Sequence, residues 1–99
     1  MQRKCAISFA VSAVEDLEAI RAWYMDGQIP EVGERLLAEI LSAVERLADF
    51  PESGRIVPEF GIIHLREIIH PPFRIVYRLG QRQVRVVRVW RSERVLKIP

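Results

Sequence analysis

At 99 residues the chain is long enough for one domain with a single modest core and too short for two, so we expect one domain over residues 1–99. Hydrophobic residues make up 49% of the chain, but no apolar run approaches the roughly 18 residues of a membrane span, which excludes an integral helical membrane protein. The lone Cys5 excludes an internal disulfide and, with no secretory leader pattern at the N-terminus, predicts a cytoplasmic location.

The formal net charge of +2 hides a strong asymmetry between the two halves of the chain. Residues 1–52 carry five Arg or Lys against ten Asp or Glu, a net charge of −5, whereas residues 53–99 carry ten against three, a net charge of +7. Such a division is typical of a basic binding face on an acidic scaffold. The alternative is a sheet edge kept from aggregating by its charges, for which fewer arginines would suffice.

The first half of the chain predicts a strand followed by a helix. Apolar and polar residues alternate over residues 4–9, which is the pattern of a half-buried strand. Ser12 and Glu15 match a capping box that would start a helix, and Gly27 is suited to end it. The apolar residues of this helix recur at helical spacing: Ala13, Leu17, Ile20 and Tyr24.

A second helix is predicted over residues 31–48, with Pro30 in its first turn. Its apolar stripe consists of Leu36, Leu37, Ile40, Leu41, Val44 and Leu47. Because the connection between the two helices is short, they must lie antiparallel as a helical hairpin. Residues 51–61, rich in Pro and Gly, are predicted to form a loop.

Three strands are predicted in the second half, over residues 62–70, 73–79 and 83–91, with a tight turn at residues 80–82. In the middle strand, alternation places Phe73, Ile75, Tyr77 and Leu79 on one face and Arg74, Val76 and Arg78 on the other. The order β-α-α-β-β-β predicts an α+β fold in which the helical hairpin packs on one face of a small, mainly antiparallel sheet.

The residues required by common catalytic sites are largely missing. One cysteine and two histidines give no zinc cluster, and the chain has no Gly-rich phosphate loop, dinucleotide fingerprint or serine nucleophile motif. The sequence therefore predicts no metal and no cofactor. Tyr77 and Trp90 are predicted to pack in the core, with base stacking as the alternative for Trp90.

The remaining candidates are the arginines of the predicted strands. They are Arg66, Arg74, Arg78, Arg85, Arg88, Arg91 and Arg94, and all except Arg85 are assigned to a functional basic surface. Strand alternation also predicts that His64, Arg66 and His70 share one side of their strand. An arginine cluster beside a histidine can hold a scissile phosphate and accept a proton.

Several short motifs in this half together resemble the RelE/ParE superfamily, the toxins of bacterial type II toxin–antitoxin modules. The motifs are Pro51-Glu52-Ser53-Gly54-Arg55, Pro58-Glu59-Phe60-Gly61, Leu65-Arg66-Glu67, Phe73-Arg74-Ile75-Val76-Tyr77-Arg78 and Val89-Trp90-Arg91-Ser92-Glu93-Arg94. The resemblance implies a cognate antitoxin bound as a heteromeric complex, by an amphipathic segment laid along the hairpin and sheet. It also implies a role such as growth inhibition or plasmid stabilisation.

The superfamily has two modes of action. RelE-like members cut mRNA on the ribosome without a metal ion, and ParE-like members poison DNA gyrase. This chain has no lysine on the strand before the F-R-I-V-Y-R motif and no tyrosine after Tyr77, both of which RelE-like enzymes often have. The resemblance therefore favours a ParE-like gyrase inhibitor, with the ribonuclease as the alternative. For that alternative, Arg74 and Arg94 match arginines of RelE-like members, and the implied catalytic candidates are Arg74, Arg94, His64 and His70. Substituting Ala for Arg74 or Arg94 is expected to reduce toxicity and leave the fold intact.

Overall fold

The computed structural model describes residues 4–91, which form two helices packed on one five-stranded sheet. The elements are β1 (Ala6–Phe9), α1 (Val11–Asp26), α2 (Pro30–Glu45), β2 (Arg55–Ile56), β3 (Leu65–His70), β4 (Phe73–Gly80) and β5 (Gln83–Arg91), with a 3-10 turn at Arg46–Ala48. The predicted α+β class is confirmed. Within residues 4–91, neither helix is both long and apolar enough to cross a membrane.

The strands lie in the order β1-β5-β4-β3-β2. The neighbours β2 to β5 pair antiparallel, whereas β1 runs parallel to β5 with Ala6 opposite Gln83 and Phe9 opposite Val86. Because β1 ends there, no described strand pairs with this edge of β5 beyond Val86. Helix α1 lies beside that edge, where Ser12 donates to Val87 and Asp16 accepts from the N–H of Val89. A shift in the β4–β5 register follows Val76.

The start of α1 differs from the prediction. Ala10 precedes the helix and no side chain caps it, so the predicted capping box of Ser12 and Glu15 is wrong. The Ser12 hydroxyl instead donates to the carbonyl oxygen of Val87 at 2.7 Å. The Ser12 hydroxyl, which the local pattern assigned to the helix cap, is thus used in a tertiary hydrogen bond to the edge of β5.

The helical hairpin has the predicted turn residues. Gly27 follows the last residue of α1 and Pro30 is the first residue of α2. The two helices come closest where Gly33 faces Tyr24, because a Cβ atom on Gly33 would lie 2.7 Å from the Tyr24 Cβ. Only glycine fits at this crossing.

The core lies between the helices and the face of the sheet that meets them. Its sheet residues include Phe73, Ile75 and Tyr77, as predicted, together with Val84 and Val86. The helices contribute Ala13, Tyr24, Leu36, Ile40, Ala43 and Val44. Leu41, which was predicted to belong to the apolar stripe of the second helix, is 43% exposed. The buried face of α2 is therefore narrower than the apolar pattern suggested.

The opposite face of the sheet, here called the outer face, carries a second small core. Val57, Leu65 and Val76 are buried there, with Phe60 packed against them, so the segment after β2 covers this face beside β3 and β4. Two predictions fail in this region. The residues predicted as loop contain the short strand β2, and β3 begins at Leu65 instead of residue 62, which leaves His64 in a turn.

Candidate functional site

A network of ion pairs on the outer face is built around Arg74, in the middle of β4. The Arg74 side chain is only 8% exposed. Its Nε donates to Oε1 of Glu67 at 2.7 Å, and Nη1 and Nη2 donate to the two carboxylate oxygens of Glu59 at 2.8 and 2.9 Å. The planar guanidinium fork is therefore engaged by two carboxylates at once.

Glu67 connects this arginine to a second one. The Glu67 side chain has no exposed surface, and its other oxygen, Oε2, accepts a hydrogen bond from Nε of Arg55 at 2.6 Å. A carboxylate buried in this way is tolerated because both of its oxygens are paired with charged donors. Arg55, Glu67, Arg74 and Glu59 thus form one connected series of charges, here called the ion chain.

The loop before β2 is attached to the sheet by hydrogen bonds that involve its backbone groups. The Tyr77 hydroxyl donates to the carbonyl oxygen of Pro51 at 2.7 Å and accepts from the N–H of Gly54 at 2.9 Å. Nη1 of Arg66 donates to the carbonyl oxygens of Glu52 and Gly54. A Cβ atom on Gly54 would lie 2.5 Å from the Tyr77 hydroxyl, so this close approach requires glycine.

The motifs that carry the family resemblance meet in this region. Gly54 and Arg55, Glu59, Arg66 and Glu67, and the Arg74 to Tyr77 segment come from four separate motifs, and all of them contribute to the ion chain or to the Tyr77 contacts. Their shared effect is to hold the segment from residue 51 to residue 60 against the sheet. They form a structural unit.

The pKa values of this unit follow from its hydrogen bonds. Hydrogen bonds from the Arg74 guanidinium lower the pKa of Glu59 to about 2. The same contacts, with those to Glu67, raise the pKa of Arg74, which stays charged throughout. Burial raises the pKa of the Tyr77 hydroxyl, partly opposed by the hydrogen bond from Gly54. Glu59 and Arg74 are therefore both charged at neutral pH, whereas Tyr77 is neutral.

The two candidate histidines are not brought to Arg74. His70 lies on the helix-facing side of β3, where its Nε2 contacts Oε1 of Glu39 on α2 at 2.8 Å, whereas Arg74 points to the outer face. His64 is six residues from His70 along the chain, which is roughly 20 Å for an extended segment. Of the three residues predicted to share a strand face, Arg66 and His70 lie on the same side of β3, whereas His64 lies before the strand.

Near the far end of β5, the arginines contact α1 and aromatic rings. Arg88 makes two hydrogen bonds to the Asp16 carboxylate, at 2.8 and 3.0 Å, and its guanidinium lies 4.3 Å from the ring centre of Trp90. Arg91 lies 5.2 Å from the ring centre of Trp23. These side chains border a groove of about 510 Å³ between α1 and β5.

The last two basic candidates with described positions differ from the rest. Arg78 on β4 lies directly opposite Arg85 on β5, and both side chains are exposed on the outer face. Arg85 has one long contact, 3.4 Å from its Nη1 to the Ser8 hydroxyl. Arg94, the remaining candidate, lies outside the described residues.

Sequence reasoning missed the carboxylates of the site. Glu59 and Glu67 entered the prediction only as acidic residues of a basic half and as members of the resemblance motifs, with no role assigned to either. A usable signal existed, because Glu67 stands between apolar residues in a strand, where an unpaired carboxylate would be costly. Within residues 4–91, no group of three or more His, Cys, Asp or Glu side chains could hold a metal ion.

Comparisons with known proteins agree with this geometry. A family model described as "ParE toxin of type II toxin-antitoxin system, parDE" matches residues 7–96. The protein named Toxin RelE2 from Caulobacter vibrioides is 32% identical over 84 residues, covering 84% of this chain and 90% of that protein.

Two solved structures share the fold. A chain of the chromosomal ParDE system of P. aeruginosa superimposes with a TM-score of 0.77 at 21% identity, covering 93% of this chain and all of that one. A chain of the toxin–antitoxin complex RelBE2 of Mycobacterium tuberculosis superimposes with a TM-score of 0.65 at 18% identity, covering 89% of this chain and 98% of that one. At these identities the likeness concerns the fold.

Proposed function

Because the chain belongs to the ParE toxin family and is the toxin of a type II toxin–antitoxin system, we propose that it acts as a binding inhibitor of DNA gyrase. In this proposal the protein cuts no phosphodiester bond itself. It works in the cytoplasm, where it holds gyrase in the state in which the DNA is cleaved, and a cognate antitoxin neutralises it by binding.

The state of Arg74 is the single observation that carries the choice of an inhibitor over a ribonuclease. Arg74 occupies the position that resembles the arginine of RelE-like enzymes, yet Glu59 and Glu67 bind its whole guanidinium fork and 8% of the side chain is exposed. A scissile phosphate would have to displace two carboxylates before this arginine could stabilise its transition state. Because this displacement would have to come first, Arg74 is not preorganised for catalysis.

The histidine positions support the same choice. A general base must come within hydrogen-bonding reach of the hydroxyl that attacks the phosphate. His70 is bound to Glu39 on the opposite side of the sheet from Arg74, and His64 lies roughly 20 Å along the chain from His70. Among the described residues, the components of a metal-independent ribonuclease site are therefore separated.

The groove between α1 and β5 is where we place the antitoxin. Among residues 4–91, no strand pairs with the α1-side edge of β5 beyond Val86, and Trp23 is 59% exposed beside it. An amphipathic segment can place an apolar side chain against Trp23, and exposed aromatic residues are frequent anchors in such interfaces.

The antitoxin site is tested by substituting glutamate for Trp23. Met25 provides a matched control, because it lies on the same helix and is equally exposed, at 59%. We expect Trp23→Glu to weaken antitoxin binding at least tenfold by calorimetry, with Met25→Glu within about twofold of wild type. Equal effects of both substitutions would remove the groove from the proposal.

The gyrase proposal is tested with purified protein, gyrase, supercoiled plasmid and ATP. Linear DNA should accumulate after detergent and protease treatment, and it should disappear when gyrase is omitted or when the antitoxin is added first. A parallel translation reaction, with mRNA cleavage mapped by primer extension, tests the RelE-like alternative. Cleaved mRNA without linear plasmid from a toxic preparation would overturn the proposal and return Arg74, Arg94, His64 and His70 to the role of catalytic candidates.

A further inference from the structure

One stretch of the chain carries only positive charge. Between Glu67 and Glu93 there are six arginines and no Asp or Glu. Three of the six have partners described above, since Arg74 and Arg88 are paired with carboxylates and Arg91 lies against aromatic rings. The other three are Arg78, Arg82 and Arg85, here called the hairpin arginines, because they lie on and beside the turn that connects β4 to β5.

The hairpin arginines lack an acidic partner in the described chain. All three are exposed, and no carboxylate within residues 4–91 lies within 4.0 Å of any of them. Arg82 also adopts a φ of +56°, in the left-handed region that is uncommon for residues other than glycine.

The arrangement of Arg78 and Arg85 works against the stability of the hairpin. They are direct cross-strand partners, with Cα atoms about 4.5–5.5 Å apart in such pairs, and like charges placed this way repel each other. Packing does not require them, because both side chains are exposed. Two guanidinium groups at this separation suit an anionic ligand that removes the repulsion.

The surroundings favour a phosphate backbone over an acidic protein segment. No large hydrophobic side chain between residues 70 and 91 is exposed, so the hairpin itself has no apolar anchor of the kind that dominates protein interfaces. The neighbours at the turn are the exposed amides Gln81 and Gln83. Backbone contacts to nucleic acid need only such positive and polar donors.

We propose that the hairpin arginines bind the phosphate backbone of duplex DNA, without reading its sequence. The contact is made by the toxin itself and does not require gyrase. The choice of DNA over RNA rests on the proposed function, whereas the phosphate site rests on the hairpin geometry alone. In a complex of gyrase with cleaved DNA, this contact would add to the affinity of the toxin for the DNA-bound form of its target.

The test is fluorescence anisotropy with the full chain and a labelled 20-base-pair duplex of arbitrary sequence, between 50 and 200 mM NaCl. The variant R78Q/R85Q removes the opposed pair. The variant R35Q/R46Q is the matched control, because it removes the same charge from exposed arginines of α2 and the turn after it. Thermal unfolding of both variants confirms that they are folded.

For two or three phosphate contacts, the dissociation constant of the wild type should rise roughly 10- to 40-fold over this fourfold change in salt. R78Q/R85Q should weaken binding at least tenfold at 50 mM NaCl and flatten the salt dependence, while R35Q/R46Q stays within about twofold of wild type. Equal loss in both variants, or no binding by the wild type at 50 mM NaCl, would overturn the proposal.

Competition with unlabelled polyglutamate of matched charge separates the two kinds of partner. Polyglutamate that displaces the duplex more strongly than unlabelled DNA does would assign the hairpin arginines to an acidic protein and overturn the DNA proposal. The gyrase assay is independent of this result. DNA binding without accumulation of linear plasmid would refute gyrase poisoning alone, and the reverse result would refute only the phosphate site.

Discussion

Arg74 and Arg78 lie on the same strand, on the same face of the sheet and four residues apart, yet their surroundings are opposite. Arg74 is buried under the segment after β2 and bound by Glu59 and Glu67. Arg78 is exposed and faces Arg85. The alternating pattern that placed them together was correct, but it gave no indication that one charge was neutralised and the other was not.

The difference arises from residues distant in sequence. Glu59 comes from a loop and Glu67 from the neighbouring strand, and together they turn Arg74 into part of the fold. Within the part of the chain that the structure describes, no such carboxylate reaches the turn between β4 and β5. A basic segment is therefore not one functional surface, and each arginine has to be assigned by the group that faces it.

The largest expected effect comes from removing Arg74. Arg74→Ala leaves the buried carboxylate of Glu67 with one partner fewer, and we expect it to destabilise the protein by about 3 kcal/mol. Arg78→Ala, on the same strand, should change stability by no more than about 0.5 kcal/mol. Urea unfolding measures both. This expectation differs from the one drawn from sequence alone, in which Arg74→Ala leaves the fold intact. Equally small losses of stability in Arg74→Ala and Arg78→Ala would support the sequence-based expectation instead.

A smaller effect is expected from the uncharged contacts of the same unit. Tyr77→Phe removes a hydroxyl that donates to Pro51 and accepts from Gly54, which leaves two backbone groups without their partner. We expect a loss of about 1–2 kcal/mol. Tyr24→Phe is the control, since it removes the hydroxyl of a buried tyrosine on α1. The same loss in both variants would mean that the two hydrogen bonds contribute nothing specific.

The stability of the protein in acid should depend on the Glu59–Arg74 pair of the ion chain. The pKa of Glu59 is lowered to about 2 in the folded protein from an ordinary value of 4.5. A lowered pKa means that the stabilisation is complete above about pH 4.5 and is lost as the pH falls towards 2. The difference in melting temperature between wild type and Glu59→Gln should therefore shrink over this range. A difference independent of pH would contradict the pairing with Arg74.

The smallest effect is expected at the hairpin, and in the opposite direction. Arg85→Glu places a carboxylate opposite Arg78, which should stabilise the protein by about 0.5 kcal/mol. Arg85→Gln, which only removes the repulsion, should fall between that variant and wild type in chemical unfolding. A destabilised Arg85→Glu would show that the two guanidinium groups do not repel each other in the folded protein.

Local sequence pattern determined much of the secondary structure and of the core of this protein. The alternation in β4 placed Phe73, Ile75 and Tyr77 in the core, and Gly27 and Pro30 marked the connection between the helices. These features depend on the period of a strand and on the conformational limits of single residues, so neighbouring residues suffice to predict them. The order of motifs likewise indicated the toxin superfamily without any structure.

The tertiary structure decided which polar groups meet. Ser12 reaches β5 instead of capping α1, His70 turns to Glu39, and Arg74 finds Glu59 and Glu67 while Arg78 finds no carboxylate in the described chain. Hydrogen bonds and ion pairs act over a few ångströms, and chain positions up to 77 residues apart come within that distance only after the sheet has formed. For this reason the sequence located the charges, but only the fold showed which of them are free to bind a partner.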